Sequence, residues 1–370
     1  MSAMNGSLVP ARTRGRLFGC VALVMALSAM VFASVASAKT APITHTYLAL
    51  GDSLAFGYSQ QLYNENEKSG DPVAAFEHGY ANDYFAKMAP KKNGVQLTND
   101  GCPGETSSSL IGDGPLGAAL AASPFKVSEE APCAYQEAWN AYHTDGEGGP
   151  LHNPYVGESQ LENALKEIAV DHYTGKPVVS VSLDIGPNDE LAAVHGCETE
   201  VGTEFVTEGK SKYGSTPTEA VEHCIVDHVP GLIEKLVKNI GATIYTLREG
   251  AAFGGVNYAG QICYVGAYDP YGSVFKAGEE ELAGSRFLAT TINQDVNEKA
   301  VEPFGAEYAN ALTKFNPGNR SEPVRLREWT NMANTMEFEG KKDGPDIHAT
   351  PAGYRELAKI MRTEGCTPAI

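Results

Sequence analysis

The sequence is short of positive charge: 28 lysines and arginines stand against 46 acidic residues, a formal net charge of −18 over 370 residues. A chain of that balance repels phosphate backbones, so no nucleic-acid partner is expected. Beyond residue 36 no apolar stretch is long enough to cross a bilayer. There is no internal repeat, and no Cys-x-x-Cys pair of the kind that builds structural zinc sites. Low complexity is lacking too, since 42% of residues are apolar and 20% charged, enough to bury a real core.

What is present starts with a leader. Arg12, Arg14 and Arg16 precede an Ala-rich apolar run over residues 17–36, closed by Ala36-Ser37-Ala38. This is the layout of a secretory signal peptide cleaved after Ala38; an uncleaved anchor is the alternative, because about 20 apolar residues just span a bilayer. Cys20 sits at the start of the apolar run rather than its end, which argues against an acylation site. The mature chain is then residues 39–370, with 25 basic residues against 46 acidic ones, a net −21. The expected location is outside the cell, where acidity serves solubility.

Cleavage removes one of seven cysteines and leaves Cys102, Cys133, Cys197, Cys224, Cys263 and Cys366. An even set in an oxidising compartment predicts disulfides. Pairing neighbours in order (Cys102 with Cys133, Cys197 with Cys224, Cys263 with Cys366) is one of about 15 schemes and closes local loops or staples the C-terminus. A zinc set drawn from His195, Cys197, His223 and Cys224 is the competing reading, weakened by its spacing.

Short apolar runs read as buried strands: 47–50 ending at Gly51-Asp52, 95–98, 178–183 ending at Asp184, and 262–267. Helical spacing puts Leu161, Ala164, Leu165, Ile168 and Ala169 on one face, and Leu232, Leu236, Val237, Ile240, Ile244 and Leu247 on another. A last helix starts from Thr350 as N-cap with Pro351 in its first turn and buries Tyr354, Leu357, Ala358 and Met361. Strands alternating with helices predict an α/β fold, a three-layer α/β/α sandwich with a mostly parallel sheet. Residues 59–80, 113–155, 191–217 and 312–344 read as long loops.

Ser53 follows the first strand at the turn toward a helix, where open α/β sheets place reactive groups. Its hydroxyl needs a base. His348, two residues after Asp346 and just before a capped helix, is the candidate, with Asp346 to hold its tautomer. Gly104 after the second strand and Asn188 after the third would supply a backbone N–H and an amide to a developing oxyanion. Gly112-Asp113-Gly114-Pro115-Leu116-Gly117 fits a dinucleotide pattern but follows no strand, so it reads as a turn-rich loop. Asp184 and Asp189 read as anchors of the loop around Asn188 rather than a glycosidase pair.

These four segments, in order from residue 46 to about 361, resemble the four blocks of the SGNH, or GDSL, hydrolases: Gly51-Asp52-Ser53-Leu54, then Gly104, then Gly186-Pro187-Asn188-Asp189, then the segment around His348. The resemblance implies a flavodoxin-like fold with Ser53 as nucleophile and His348 as base. It also implies an oxyanion hole from Ser53, Gly104 and Asn188. The family's usual acid lies three residues before the histidine, a position held here by Pro345. Asp346 takes that role in our reading; Asp343 or a backbone carbonyl are the alternatives. The expectation is one secreted catalytic domain, a lipase or esterase acting on a small-molecule or lipid ester, with transient contact with lipid or envelope surfaces and no cofactor or metal. A carbohydrate acetylesterase is the first alternative and a non-catalytic binding protein the second.

Overall fold

The computed structural model describes residues 42–66, 73–88, 94–133, 159–273, 280–338 and 341–367; the expected leader, residues 1–38, lies outside them. Five strands form one sheet in the order β2-β1-β3-β4-β5: β1 (His45–Gly51), β2 (Val95–Asn99), β3 (Val178–Asp184), β4 (Gln261–Val265) and β5 (Glu307–Ala309). Every neighbouring pair is parallel. β5 has only three residues and gave no apolar run to detect.

The alternation of side chains along β1 explains the layering. Leu48 and Leu50 join Val181, Leu183, Ile262 and Tyr264 on one face, while Tyr47 and Ala49 join Cys263 and Val265 on the other. Seven of the helices matter here: α1 (Ser53–Phe56), α2 (Tyr80–Lys87), α3 (Gln160–Thr174), α4 (Pro187–Glu208), α5 (Pro217–Arg248), α6 (Glu280–Val296) and α7 (Pro351–Thr363). The leucine face is covered by Leu161 and Ile168 of α3, Leu236 and Ile240 of α5, and Ile292 of α6; the tyrosine face by Tyr80 and Tyr84 of α2 and by Tyr354, Leu357 and Met361 of α7. Each such side chain, fully buried, contributes roughly 1.5–3 kcal/mol. The result is the expected α/β/α sandwich with helices on both faces.

Several stretches read as loops are structured. Residues 191–208 belong to α4, despite Gly196 and Gly202 within it. Packing outweighs propensity there: Cys197 bonds Cys224 of α5, and Val201 and Ala220 bury against the pair. A helix Gln60–Asn66 and a 3-10 turn Val73–Phe76 occupy much of 59–80, and Pro115 opens a helix that runs to Ala121, so the Gly112 to Gly117 pattern is only half loop. Helices Ala311–Phe315 and Glu322–Trp329 and the antiparallel pair β6 (Thr335–Phe338) and β7 (Lys341–Pro345) fill most of 312–344. Residues 134–155 lie outside the described residues.

Three disulfides link Cys102 to Cys133, Cys197 to Cys224 and Cys263 to Cys366. The last ties β4 to the chain just beyond α7.

Candidate active site

The connection leaving β1 runs to β2 on one side while the one leaving β3 runs to β4 on the other, and such a switch point, between β1 and β3, opens a crevice at the carboxyl ends of the strands. The chain leaves β1 at Gly51, whose φ is +138°; a Cβ there would sit 2.1 Å from the carbonyl oxygen of Asp184 on the neighbouring strand. Only glycine permits that approach. Asp52 then caps α1, its Oδ1 accepting the Leu54 N–H at 2.9 Å, which makes Ser53 the first helical residue and sets it at the sheet's edge.

The Ser53 hydroxyl meets Nε2 of His348 at 2.9 Å, and Nδ1 of His348 meets Oδ1 of Asp346 at 2.6 Å. Three donors converge on Asp346: that ring nitrogen, the backbone N–H of His348 at 3.1 Å, and the backbone N–H of Gln60, which reaches Oδ2 at 3.2 Å. An acceptor held this way assigns the proton to Nδ1, leaving Nε2 free to accept from Ser53. The carboxylate folding back on its own N–H two residues later is an Asx-type turn, and it explains why an Asp at this spacing reaches the ring. The side chain of Asp343 lies outside the described residues.

The histidine segment is held from three sides. Tyr268 donates its hydroxyl to the carbonyl of Ile347 at 2.8 Å, Asn331 donates its backbone N–H to the carbonyl of His348 at 2.8 Å, and the Tyr58 ring packs 4.7 Å from the imidazole. Immediately after it, Thr350 caps α7 by accepting the Gly353 N–H at 3.2 Å. Ser53 and His348 are 8% and 7% exposed, so both are largely shielded from water and still open to a small group.

Gly104 stands in a turn after β2 with φ +80°, half-buried. Asn188 is the second residue of α4, just past β3; its amide donates to the carbonyl of Glu105 at 2.9 Å and makes a longer contact of 3.4 Å with Oδ2 of Asp52. Ser53, Gly104 and Asn188 therefore sit at the ends of three adjacent strands.

Buried carboxyls crowd this edge. Burial pushes Asp52 up to about 7, opposed by the Leu54 N–H and reinforced by Glu105 and Asp189. Burial likewise lifts Glu105 to about 7, against the pull of Ser109, Gln160 and the Cys133 N–H. Asp184 is raised well above its ordinary value by burial and then by Asp52, and its Oδ2 has no hydrogen-bond partner among the described residues. Burial thus disfavours the charged form of all three carboxyls. Asp189 does anchor its surroundings: it accepts the N–H and hydroxyl of Ser107 at 2.7 and 3.0 Å and pairs with Lys235 at 2.9 Å.

No family model and no curated protein matches the chain. Solved structures do. A phospholipase A1 from Streptomyces albidoflavus NA297 is 13% identical, with a TM-score of 0.43 over 87% of this chain and 100% of that one. An extracellular lipase from Streptomyces rimosus is 14% identical, with a TM-score of 0.44 over 86% and 99%. An acetylxylan esterase from Geobacillus stearothermophilus is 14% identical, with a TM-score of 0.41 over 88% and 96%. Likeness at this level says nothing of the reaction, which rests on the residues themselves.

Among the described residues, two clusters carry metal-type ligands: Cys197, Cys224 and His228, and Cys102, Glu105 and Cys133. In each, both thiols are spent in a disulfide. His195 and His223, considered with Cys197 and Cys224 as a zinc set, instead face Glu198 at 3.7 Å and the carbonyl of Tyr213 at 2.6 Å. Sequence reasoning passed over Glu105, Gln160 and Gln60. All three are polar residues at turns or helix starts, which read as surface.

Proposed function

We propose that the protein is a serine ester hydrolase of the GDSL kind working through Ser53. The observation that carries this is the line from the Ser53 hydroxyl through His348 to Asp346, at 2.9 and 2.6 Å, at the carboxyl edge of a parallel sheet. Nε2 of His348 takes the hydroxyl proton as Oγ attacks the ester carbonyl, and Asp346 stabilises the imidazolium. The tetrahedral oxyanion is received by the N–H groups of Ser53 and Gly104 and by the Asn188 amide. One hydrogen of that amide is already committed to Glu105 and the other only loosely to Asp52, so substrate replaces a weak contact. His348 then protonates the leaving alcohol, and water, activated the same way, releases the acid and restores Ser53.

The test is hydrolysis of p-nitrophenyl acetate by the wild type and by Ser53→Ala. Loss of turnover with an unchanged circular dichroism spectrum supports the mechanism; equal turnover overturns it. A panel spanning acyl-chain lengths, a phospholipid and acetylated xylan then separates lipid from carbohydrate esters. Export belongs to the same proposal: the leader is removed after Ala38, leaving one catalytic domain whose three disulfides suit an oxidising compartment. N-terminal sequencing of protein recovered from the medium checks it, with Lys39 the expected first residue.

A further inference from the structure

We infer that Glu105, outside the triad, is a positioning residue that fixes the two oxyanion donors Gly104 and Asn188 and ties their placement to the Cys102–Cys133 disulfide. The inference rests on the esterase proposal above. Glu105 is fully buried, directly follows Gly104, and is bonded through both its backbone and its side chain. Its N–H donates to the carbonyl of Cys102 at 3.1 Å and its own carbonyl holds the Asn188 amide at 2.9 Å. One carboxyl oxygen accepts the backbone N–H of Cys133 at 3.1 Å; the other accepts the Gln160 amide at 2.7 Å.

Gln160 completes the frame. Its side chain pairs with both polar groups of Gly51, accepting the N–H and donating to the carbonyl, each at 2.8 Å, as a neighbouring strand would. Cys102 donates its N–H to that same Gly51 carbonyl at 3.0 Å. Glu105 thus joins the ends of all three strands that carry Ser53, Gly104 and Asn188. Burying a carboxyl is costly, and an apolar side chain would fill the space without the cost. The carboxyl's own two directed bonds, from the Cys133 N–H and the Gln160 amide, give that cost a purpose by fixing the segment whose backbone carbonyl holds Asn188. None of these atoms touches His348 or Asp346, which arrive on the segment before α7.

With p-nitrophenyl acetate as substrate and melting curves to verify folding at the assay temperature, Glu105→Ala is expected to lower kcat about 10- to 100-fold, less than outright removal of an oxyanion donor. KM stays as in the wild type. Inhibition by phenylboronic acid, whose tetrahedral adduct on Ser53 puts an oxygen in the same hole, weakens in parallel with kcat. Glu105→Gln, which keeps one acceptor, recovers part of the loss and carries the comparison should Glu105→Ala not fold. Serine at both Cys102 and Cys133 lowers kcat too, and adds little in the Glu105→Ala background because the two act through one frame. Wild-type kcat in the folded Glu105 variants, or losses that multiply with those of the cysteine pair, overturns the positioning role while leaving the esterase intact. Absence of turnover in the wild type itself overturns both.

Discussion

On the proposed mechanism, replacing Asp346 separates two ways of orienting His348. In Asp346→Ala the Nδ1 proton of His348 loses its acceptor in a nearly dry site, and the imidazolium formed during attack loses its partner. A charge-assisted hydrogen bond is worth about 1.5–3 kcal/mol and an orphaned buried donor costs about 1–3 more, so kcat/KM should fall roughly 10²- to 10⁴-fold. Asp346→Asn should fall less. Two donors, the ring and the His348 backbone N–H at 3.1 Å, converge on Oδ1, so the asparagine keeps its oxygen there and preserves the tautomer. Its NH2 then opposes the Gln60 N–H, now 3.2 Å from Oδ2, and the cost appears chiefly as a lower Tm. The assay is kcat/KM for p-nitrophenyl acetate from pH 6 to 9, with Asp343→Ala alongside. An Asn variant as impaired as the Ala variant would show that the backbone N–H does not pin the oxygen. A fully active Asp346→Ala with an impaired Asp343→Ala would move the acid to Asp343.

Stability should fall as the pH rises above about 5. Asp100 and Glu105 are raised by burial from 3.8 and 4.5 to about 7, and Glu190 to about 8. The folded state therefore binds the extra protons, and stability present at low pH is lost through that window, at up to about 1.4 kcal/mol per pH unit for each group. Urea titrations at pH 5 and pH 8 check this, and equal midpoints would contradict it. Serine at Cys263 and Cys366, bridging a separation of 103 residues, should cost about 4–5 kcal/mol of chain entropy; the Cys197–Cys224 pair, separated by 27, about 3–4. Thermal unfolding of the two double variants gives the order, and a larger loss from the Cys197 pair would contradict it.

The sheet and the ends of its helices were legible where local chemistry and burial agree. The apolar run of β1 stops at a glycine that the neighbouring strand forces to remain glycine, and α7 is announced by Thr350-Pro351 and its apolar spacing. The meeting of Ser53, His348 and Asp346 was legible because a hydroxyl, an imidazole and a carboxylate suited to such a line come from few residue types, here placed just after a strand or before a helix. α4 was hidden because its stability comes from α5 across a disulfide rather than from its own propensities. Glu105 and Gln160 were hidden for a related reason. Their burial is decided by partners 55 and 109 positions apart along the chain, at Gln160 and Gly51, and nothing local marks a buried glutamate.

His348 reaches Ser53 across 295 positions, and Cys366, which secures the end of α7, comes later still. On the proposed chemistry the nucleophile is therefore made early and its base almost last. A growing or translocating chain carries Ser53 with nothing to deprotonate it, and stays inert toward the producing cell's own esters until α7 has docked. Order of synthesis alone thus confines the proposed activity to the completed chain.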